Sequence, residues 1–113
     1  MINYIRRRNG EYLHKSGEGF MDNLTTVLIA DNTEEFCASL TTALHRAGGF
    51  QVLGSANDGE QAIRMITDRK PDILVLDLML SKRDGLSVLK AISGMDRKPA
   101  VLATSAFVTE YVS

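Results

Sequence analysis

The sequence predicts an α/β fold in which helices flank an open parallel sheet. From residue 25 onward, short apolar runs alternate with segments whose apolar residues recur at helical spacing. A repeated strand-helix order implies right-handed crossovers and therefore parallel strands. The chain has 113 residues, of which 24% are charged and 44% are apolar, and its net charge is −1. These values favour one ordinary globular domain and give no basic field for nucleic acid or membrane binding.

Residues 1–22 differ from the rest of the chain. Their apolar residues have no period, and Arg6, Arg7 and Arg8 are consecutive. No apolar core follows the arginines, so the segment lacks the pattern of a signal peptide. We expect a disordered leader over residues 1–22, or a non-native one if Met21 is the natural start, and a single domain over residues 23–113.

The next fifty residues predict two strands and two helices. TTVLIA is typical of a buried strand, and the alternating FQVLGSA of a strand nearer the sheet edge. The segment between them predicts a helix that ends at Gly48-Gly49 and faces the sheet with Phe36, Leu40, Ala43, Leu44 and Ala47. DGEQAIRMITDRK predicts a second helix, ended by Pro71, whose inward side chains are Ala62, Ile63 and Ile66.

The remaining residues predict two more strands and a third helix. DILVLD is the most apolar strand of the chain, and PAVLATS is the fourth strand. Between them, GLSVLKAISGM predicts a helix with Leu86, Leu89 and Ile92 facing inward.

Polar residues stand at the carboxyl end of every predicted strand: Asp31-Asn32, Asn57-Asp58, Asp77 and Thr104-Ser105. In a parallel sheet these ends share one edge, which is where open α/β sheets bind ligands. An unpaired buried carboxylate is costly, so we expect Asp77 at a rim that water reaches. Carboxylates with a hydroxyl opposite suit Mg²⁺, and a carboxylate can also act as a nucleophile that forms an aspartyl phosphate.

Four stretches of the chain together resemble the receiver domains of response regulators: VLIADNTEEF, DGEQAI, PDILVLDLMLSKRDGLSVLK and PAVLATSAF. The third is the most specific, because Asp-Gly follows the strand-end Asp at the family's spacing. The resemblance is strongest to the receiver of the stage-zero sporulation protein A type. It implies a flavodoxin-like (CheY-like) doubly wound parallel sheet of strand order 2-1-3-4, with the family's fifth strand and last helix missing from the sequence.

The resemblance implies a role for each residue around the strand-end acid. Asp77 matches the phosphoacceptor, and Asp31, Asn32 and the main-chain carbonyl of Met79 match the metal shell beside it. The family usually has an acid where Asn32 stands. An amide oxygen brings no charge, so we expect Mg²⁺ to bind more weakly than in the family.

Further matches lie in the loops. Ser105 matches the hydroxyl that turns towards the phosphoryl group, Ala106 the small residue after it, and Asp84-Gly85 the loop that enters the third helix. Leu80-Ser81 replaces the usual Met-Pro, which leaves the loop without the proline that fixes it. The sequence also offers no match for the family's phosphate-pairing lysine.

The resemblance implies the input domain of a sporulation transcription regulator, without enzyme activity of its own. A sensor histidine kinase or phosphotransfer protein would supply the phosphoryl group in the cytoplasm. DNA would be reached only through an output domain absent from this chain, and no apolar run is long enough to span a membrane. An aspartate-dependent phosphohydrolase would need a second acid at the position of Met79.

Two alternatives stay open: a pseudo-receiver that binds partners without being phosphorylated, and a non-functional gene fragment. We also expect the fourth strand to be an uncharged edge that promotes self-association. Without a last helix, Val27, Ile29, Val75 or their neighbours would be partly uncovered. The single cysteine, Cys37, is interpreted as a packing residue.

Overall fold

The computed structural model describes residues 4–6, 12–14, 24–80 and 85–104. Within the predicted leader, β1 (Tyr4–Arg6) and β2 (Tyr12–His14) form an antiparallel pair. Whether residues 1–22 are a native part of the protein stays a prediction. The other elements are β3 (Thr25–Ala30), α1 (Glu34–Ala47), β4 (Phe50–Ala56), α2 (Gly59–Arg69), β5 (Ile73–Asp77), α3 (Gly85–Ser93) and β6 (Ala100–Thr104).

Strands β3 to β6 form one parallel sheet in the order β4-β3-β5-β6. Counted within this sheet, the order is 2-1-3-4, so the predicted α/β flavodoxin-like fold class is confirmed. The chain passes from β3 outward to β4 and then returns to the other side of β3 to form β5. The carboxyl ends of β3 and β5 therefore flank the point where the strand order reverses, which is the usual ligand-binding position of such sheets.

Helices cover both faces of the sheet. On one face, α2 and α3 enclose the larger core, which includes Leu28, Leu74, Leu76, Ala62, Ile66, Val88 and Ile92. On the other face, Val27, Ile29 and Val75 pack against side chains of α1. Strands buried on both faces explain why the runs in β3 and β5 are continuously apolar rather than alternating.

The inward face of α1 differs from the predicted one. Cys37, Leu40 and Leu44 pack against the sheet, whereas Ala43 and Ala47 are exposed and Phe36 is 36% exposed. The inward residues follow the i, i+3, i+7 spacing of a helical stripe, and Phe36 lies at its margin. The prediction was right for Leu40 and Leu44 and wrong for Phe36, Ala43 and Ala47, since the stripe that faces the sheet begins one position later, at Cys37.

The inward face of α3 also needs one correction. Gly85, Val88 and Ile92 are buried, whereas Leu86 is 66% exposed. Gly85 lies against the backbone of the loop after β5, and this close approach sets the rotation of the helix. Leu86 is consequently directed away from the core.

The expected gap on the α1 face lies at neighbours of the three named residues rather than at those residues themselves. Val27, Ile29 and Val75 are at most 5% exposed, because α1 covers them. The uncovered apolar side chains belong to their neighbour β6, in which Val101 is 38% and Leu102 60% exposed. In the described part of the chain, no helix has the length and apolar character needed to cross a membrane.

Candidate functional site

The predicted site lies at the carboxyl edge of the two central strands. Ala30 of β3 pairs with Leu76 of β5, so Asp31 and Asp77 occupy the next position on neighbouring strands. Neighbouring strands are about 5 Å apart, which brings the two acids side by side. The structure therefore places both predicted carboxylates at the switch point of the sheet.

Asp31 is fixed by its backbone and by its side chain. Its N–H donates to the carbonyl oxygen of Ala56 at 3.0 Å, and its Oδ1 accepts the N–H of Thr33 at 2.7 Å. The residue is 7% exposed, whereas Asn32 beside it is exposed. The hydrogen bond to Thr33 uses one oxygen of a group that can accept several, so the carboxylate keeps capacity for a cation.

Asp77 ends β5 in a tight turn. Its Oδ1 accepts the N–H of Met79 at 2.9 Å, and its carbonyl oxygen accepts the N–H of Leu80 at 3.2 Å. The N–H of Leu78 donates to Thr104 at 2.9 Å, which ties this turn to β6. Asp77 is half-buried and the Met79 side chain is 60% exposed. One carboxylate oxygen is thus oriented by the main chain in a position that solvent reaches.

Gly85 approaches the turn after Asp77 more closely than any side chain would allow. A β-carbon built on Gly85 would lie 2.5 Å from the Cα of Leu78 and 3.0 Å from the carbonyl oxygen of Asp77. The N–H of Gly85 also donates to the carbonyl oxygen of Leu78 at 3.2 Å. The start of α3 therefore supports the Asp77 turn directly.

The other side of Asp77 is formed by β6. Thr104 is the register partner of Asp77, and its Oγ1 donates to the carbonyl oxygen of Leu76 at 3.5 Å. Three predicted site residues, Asp84, Ser105 and Ala106, lie outside the described residues. Their assignments stay predictions.

The oxygen atoms at this edge have the chemistry that Mg²⁺ requires. Among the described residues, no three His, Cys, Asp or Glu side chains form a metal cluster. Mg²⁺ does not need one, since it commonly takes one or two carboxylates and keeps several waters. Asp31 and Asp77 supply the carboxylates, and the amide of Asn32 and the main-chain carbonyl of Met79 are uncharged oxygen donors nearby. The donor set fits the ion.

Sequence reasoning missed the position of Cys37 beside this site. Its thiol donates to the carbonyl oxygen of Asp31 at 3.5 Å. Burial raises the pKa of the Cys37 thiol, the Asp31 carboxylate raises it further, and a hydrogen bond with Ser55 opposes the shift. The cysteine packs against the core as predicted. The Asp31 carboxylate at the carboxyl edge also contributes to its raised pKa.

A second acid, next to the same strand, was not predicted from the sequence. Asp72 precedes β5 at the amino edge and is 5% exposed. Its Oδ2 accepts the N–H of Thr26 at 2.9 Å and the Oγ1–H of Thr26 at 3.1 Å. Its main-chain N–H and C=O bond to Thr26 and Ala100, and Arg97 lies 3.8 Å from Oδ1. The position of Asp72 between Pro71 and an apolar strand was the feature of the sequence that could have indicated a buried, hydrogen-bonded acid.

The fold and this edge define a class of protein: a signalling domain of the receiver type. A family model described as "Response regulator receiver domain" matches residues 27–112. The chain belongs to the response regulator receiver domain family. Receiver domains act in two-component systems, and they are generally signalling modules rather than enzymes.

Sequence and structure comparisons agree with this assignment. The transcriptional regulatory protein PrrA of Mycobacterium bovis is 40% identical over 80 residues, which are 71% of this chain and 34% of PrrA. The receiver domain of the response regulator NarL from Mycobacterium tuberculosis matches at 30% identity and a TM-score of 0.70, with 74% of this chain and 68% of that chain covered.

A third match is a complex of CheX and CheY with BeF₃ and Mg²⁺ from Borrelia burgdorferi. It is 28% identical, with a TM-score of 0.66, and the alignment covers 85% of this chain and 73% of that chain. The alignment with PrrA, by comparison, spans only about a third of the length of that protein.

Proposed function

We propose that the chain is a phosphoacceptor receiver in which Asp77 carries the phosphoryl group. The observation that supports this most is that Asp31 and Asp77 directly follow the paired residues Ala30 and Leu76, at the switch point of the sheet. Asp77 is half-buried, and the N–H of Met79 orients one of its oxygens. A carboxylate held in this way can act as a nucleophile towards a phosphorus atom.

The reaction would exchange one bond to phosphorus for another. A carboxylate oxygen of Asp77 attacks the phosphorus of a phosphohistidine on a sensor kinase or phosphotransfer protein. The P–N bond breaks, the histidine leaves with its electron pair, and an acyl phosphate forms on Asp77. The turn closed by Met79, Leu80 and Gly85 holds the nucleophile in place during this exchange.

We propose Mg²⁺ as the cofactor, held by Asp31, Asn32, Asp77 and the main-chain carbonyl of Met79. When bound, the ion would neutralise negative charge on the transferring phosphoryl group. The Borrelia CheY complex contains Mg²⁺ and BeF₃, which supports this cofactor for a similar fold. Asn32 gives one charge fewer than an acid would, so we expect weak binding. Asn32→Asp should tighten Mg²⁺ binding by about tenfold.

The phosphoacceptor assignment can be tested with acetyl phosphate and Mg²⁺. Intact-mass spectrometry should detect one phosphoryl group on the wild-type chain and none on Asp77→Asn. Asp96→Asn is the matched control, because it removes an exposed acid beyond the end of α3. Full labelling of Asp77→Asn would show that another residue is the acceptor. The same assay on Asn32→Asp should reach half-maximal labelling at a lower Mg²⁺ concentration.

A pseudo-receiver is the second candidate function, and Asn32 is the observation that favours it. A site with two carboxylates and an amide attracts a cation less than a site with three acids. If the wild-type chain stays unlabelled at millimolar Mg²⁺ and Asn32→Asp becomes labelled, the pseudo-receiver is the better description. Equal labelling of both would rule it out.

The wider function is proposed from resemblance. We propose a cytoplasmic input domain of a sporulation transcription regulator, with no enzyme activity, that acts on DNA only through an output domain outside this sequence. Similarity to PrrA, a transcriptional regulatory protein, supports a role in transcription. The coding sequence after residue 113 is the direct test. A DNA-binding domain there would support the proposal, and a methylesterase-type catalytic domain would contradict it.

A further inference from the structure

Strand β4 is an outer strand of the parallel sheet. Among the described residues, β4 pairs with β3 on one side and with no strand on the other. A strand in this position presents a row of backbone N–H and C=O groups with which another strand can pair. Two features lie along this open side of β4: an irregularity in the ladder with β3, and an arginine that belongs to α2.

The irregularity is a bulge of one residue. Val27 of β3 is the register partner of Val52, and the next residue, Leu28, is the register partner of Gly54. Leu53 therefore has no register partner of its own. A bulge of this kind disrupts the ladder locally and increases the twist of the strand that carries it.

The bulge also changes which backbone groups of β4 are directed outward. At the start of the ladder, the N–H of Thr25 donates to the carbonyl oxygen of Gly49 at 2.9 Å. At its end, the N–H of Asp31 donates to the carbonyl oxygen of Ala56 at 3.0 Å. Because a parallel ladder uses alternate residues of β3, these two ends together place the carbonyl oxygen of Leu53 on the open side of the strand.

An arginine occupies the carbonyl group that the bulge exposes. Arg69 lies in the last turn of α2, and its Nη1 donates to the carbonyl oxygen of Leu53. The Arg69 side chain is itself exposed, so its charge lies in solvent beside the open side of β4. Bulges and charged side chains are two of the means by which natural sheets prevent edge-to-edge pairing, and this edge has both.

Gly54 makes room for the arginine. Its φ of +151° lies in a region that L side chains rarely adopt. A β-carbon at this position would lie 3.0 Å from the Cε of Met65 and 3.6 Å from Nη1 of Arg69. The missing side chain therefore lets α2 lie close to β4, and Arg69 reaches the outer strand as a result.

We propose that the Leu53 bulge and Arg69 together close the β4 edge to pairing with a second copy of the chain. The strand needs this protection, because its sequence, FQVLGSA, contains no charged residue and no proline. Ala56, at the end of the same strand, holds the main chain of Asp31, so the closed edge also keeps foreign strands away from the carboxylate site. The proposal does not depend on phosphorylation of Asp77.

The pairing that this device prevents has a definite register. Phe50 and Val52 direct their N–H and C=O groups outward, so antiparallel pairing about a two-fold axis would join Phe50 of one copy to Val52 of the other. Gln51 would then lie opposite Gln51 of the second copy, with Cα atoms about 4.5 Å apart. Leu53 would lie opposite Gly49 of that copy, where the arginine guanidinium occupies the space.

Cysteine cross-linking at the centre of this register tests the proposal. In a Cys37→Ser background, Gln51→Cys should form little disulfide-linked dimer under mild oxidation while Arg69 is present, although its Cα separation would suit a disulfide. Arg69→Met keeps an apolar stem but has no charge and no donor, and should raise the initial rate of dimer formation at least about tenfold. Arg64→Met changes another exposed arginine of α2 and should leave the rate unchanged. Rapid linking with Arg69 present, or equal rates in all three chains, would overturn the proposal.

Two further variants separate an opened edge from other causes of faster linking. Arg69→Lys keeps a charge and a donor and should stay within about threefold of the rate with arginine, whereas a rate equal to that of Arg69→Met would contradict the role given to the charged donor. With the cysteine moved to exposed Ser93 at the end of α3, Arg69→Met should have no effect. An equal increase at Ser93 would show general association or unfolding, and would overturn a specific role at β4.

Discussion

Asp72 directly precedes strand β5 and Asp77 ends it, and the two carboxylates have opposite surroundings. Asp72, at the amino edge, is 5% exposed and receives two hydrogen bonds from Thr26. Asp77, at the carboxyl edge, is half-buried and receives one from Met79. Arg97 approaches Asp72, whereas the acid Asp31 lies next to Asp77. The aspartate at one end of the strand therefore has an arginine near it, and the aspartate at the other end has a second acid beside it.

The difference separates a structural acid from a functional one. Asp72 connects three strands, since its side chain binds β3 while its main-chain carbonyl accepts a hydrogen bond from the start of β6. The main chain uses only part of the hydrogen-bonding capacity of the Asp77 carboxylate, so the rest is available to a cation or a phosphoryl group. The arrangement is destabilised by the electrostatic repulsion between Asp77 and Asp31. The burial of an aspartate and the charge of its neighbours therefore indicate whether it is structural or functional better than the residue type does.

The largest effect is expected from Asp72→Ala. The substitution leaves the N–H and hydroxyl of half-buried Thr26 without their acceptor, which should destabilise the fold by about 2–4 kcal/mol. Urea unfolding followed by circular dichroism measures this loss. Asp96→Ala removes an exposed acid near Arg97 and should change stability by less than about 0.5 kcal/mol. Similar losses in both variants would contradict a buried role for Asp72.

Gly85→Ala should have the next largest effect on stability, because Gly85 packs directly against the turn that follows Asp77. The added methyl group would meet the Leu78 backbone at 2.5 Å, so the turn or α3 must shift. A cost of about 1–3 kcal/mol is typical of such overpacking. In Gly94→Ala the nearest atom is 3.8 Å away, and the variant should be near neutral. Slower phosphoryl labelling of Gly85→Ala would follow from a displaced Asp77.

The sequence predicted the sheet well, and it predicted that Asp31 and Asp77 share one edge, because both follow from periodicity. Alternating apolar runs and helical stripes determine a parallel order, and parallel order places Asp31 and Asp77 at one edge. Gly85 was expected only from the family resemblance. The atom-level reason for it, contact with the Leu78 backbone, depends on how α3 meets the turn and has no signal in composition.

Helix rotation and the buried acid could not be predicted in the same way. Phe36 and Leu86 were assigned inward because apolar residues fit a helical period, but a shift of one residue satisfies that period almost equally well. The contacts that each helix makes in the folded chain decide which of these two sets of residues faces inward. Asp72 was missed because its partner, Thr26, is 46 residues away in the sequence. Only the register of β3 against β5 brings the two residues together.

Asp77→Asn should change stability in the opposite direction from Asp72→Ala. The Asn side chain keeps an oxygen for the N–H of Met79 and removes the charge beside Asp31. We expect a gain of about 0.5 kcal/mol in the free energy of unfolding without Mg²⁺. Added Mg²⁺ should stabilise the wild type and not this variant, since ligands that bind the native state raise its stability. A loss above about 1 kcal/mol would show that Asp77 is structural.

The smallest effect concerns Cys37, whose thiol lies between the core and Asp31. Its pKa is raised by burial and then by the Asp31 carboxylate, so the folded state holds the thiol proton more tightly than the unfolded state. The resulting stabilisation is fully present below the ordinary thiol pKa of about 8.5 and is lost as pH rises through the raised value. Wild type should therefore lose more stability than Cys37→Ser between neutral pH and about pH 10.

Thiol reactivity gives a second measure of the Cys37 environment. Cys37 should react with a disulfide reagent more slowly at neutral pH than a cysteine placed at exposed Ala38 in a Cys37→Ser background, because the thiolate is the reactive form. Asp31→Asn should speed the reaction of Cys37, since it removes the second cause of the shift. An unchanged rate in Asp31→Asn would show that the charge at the carboxyl edge does not reach α1, and that burial alone sets the thiol's reactivity.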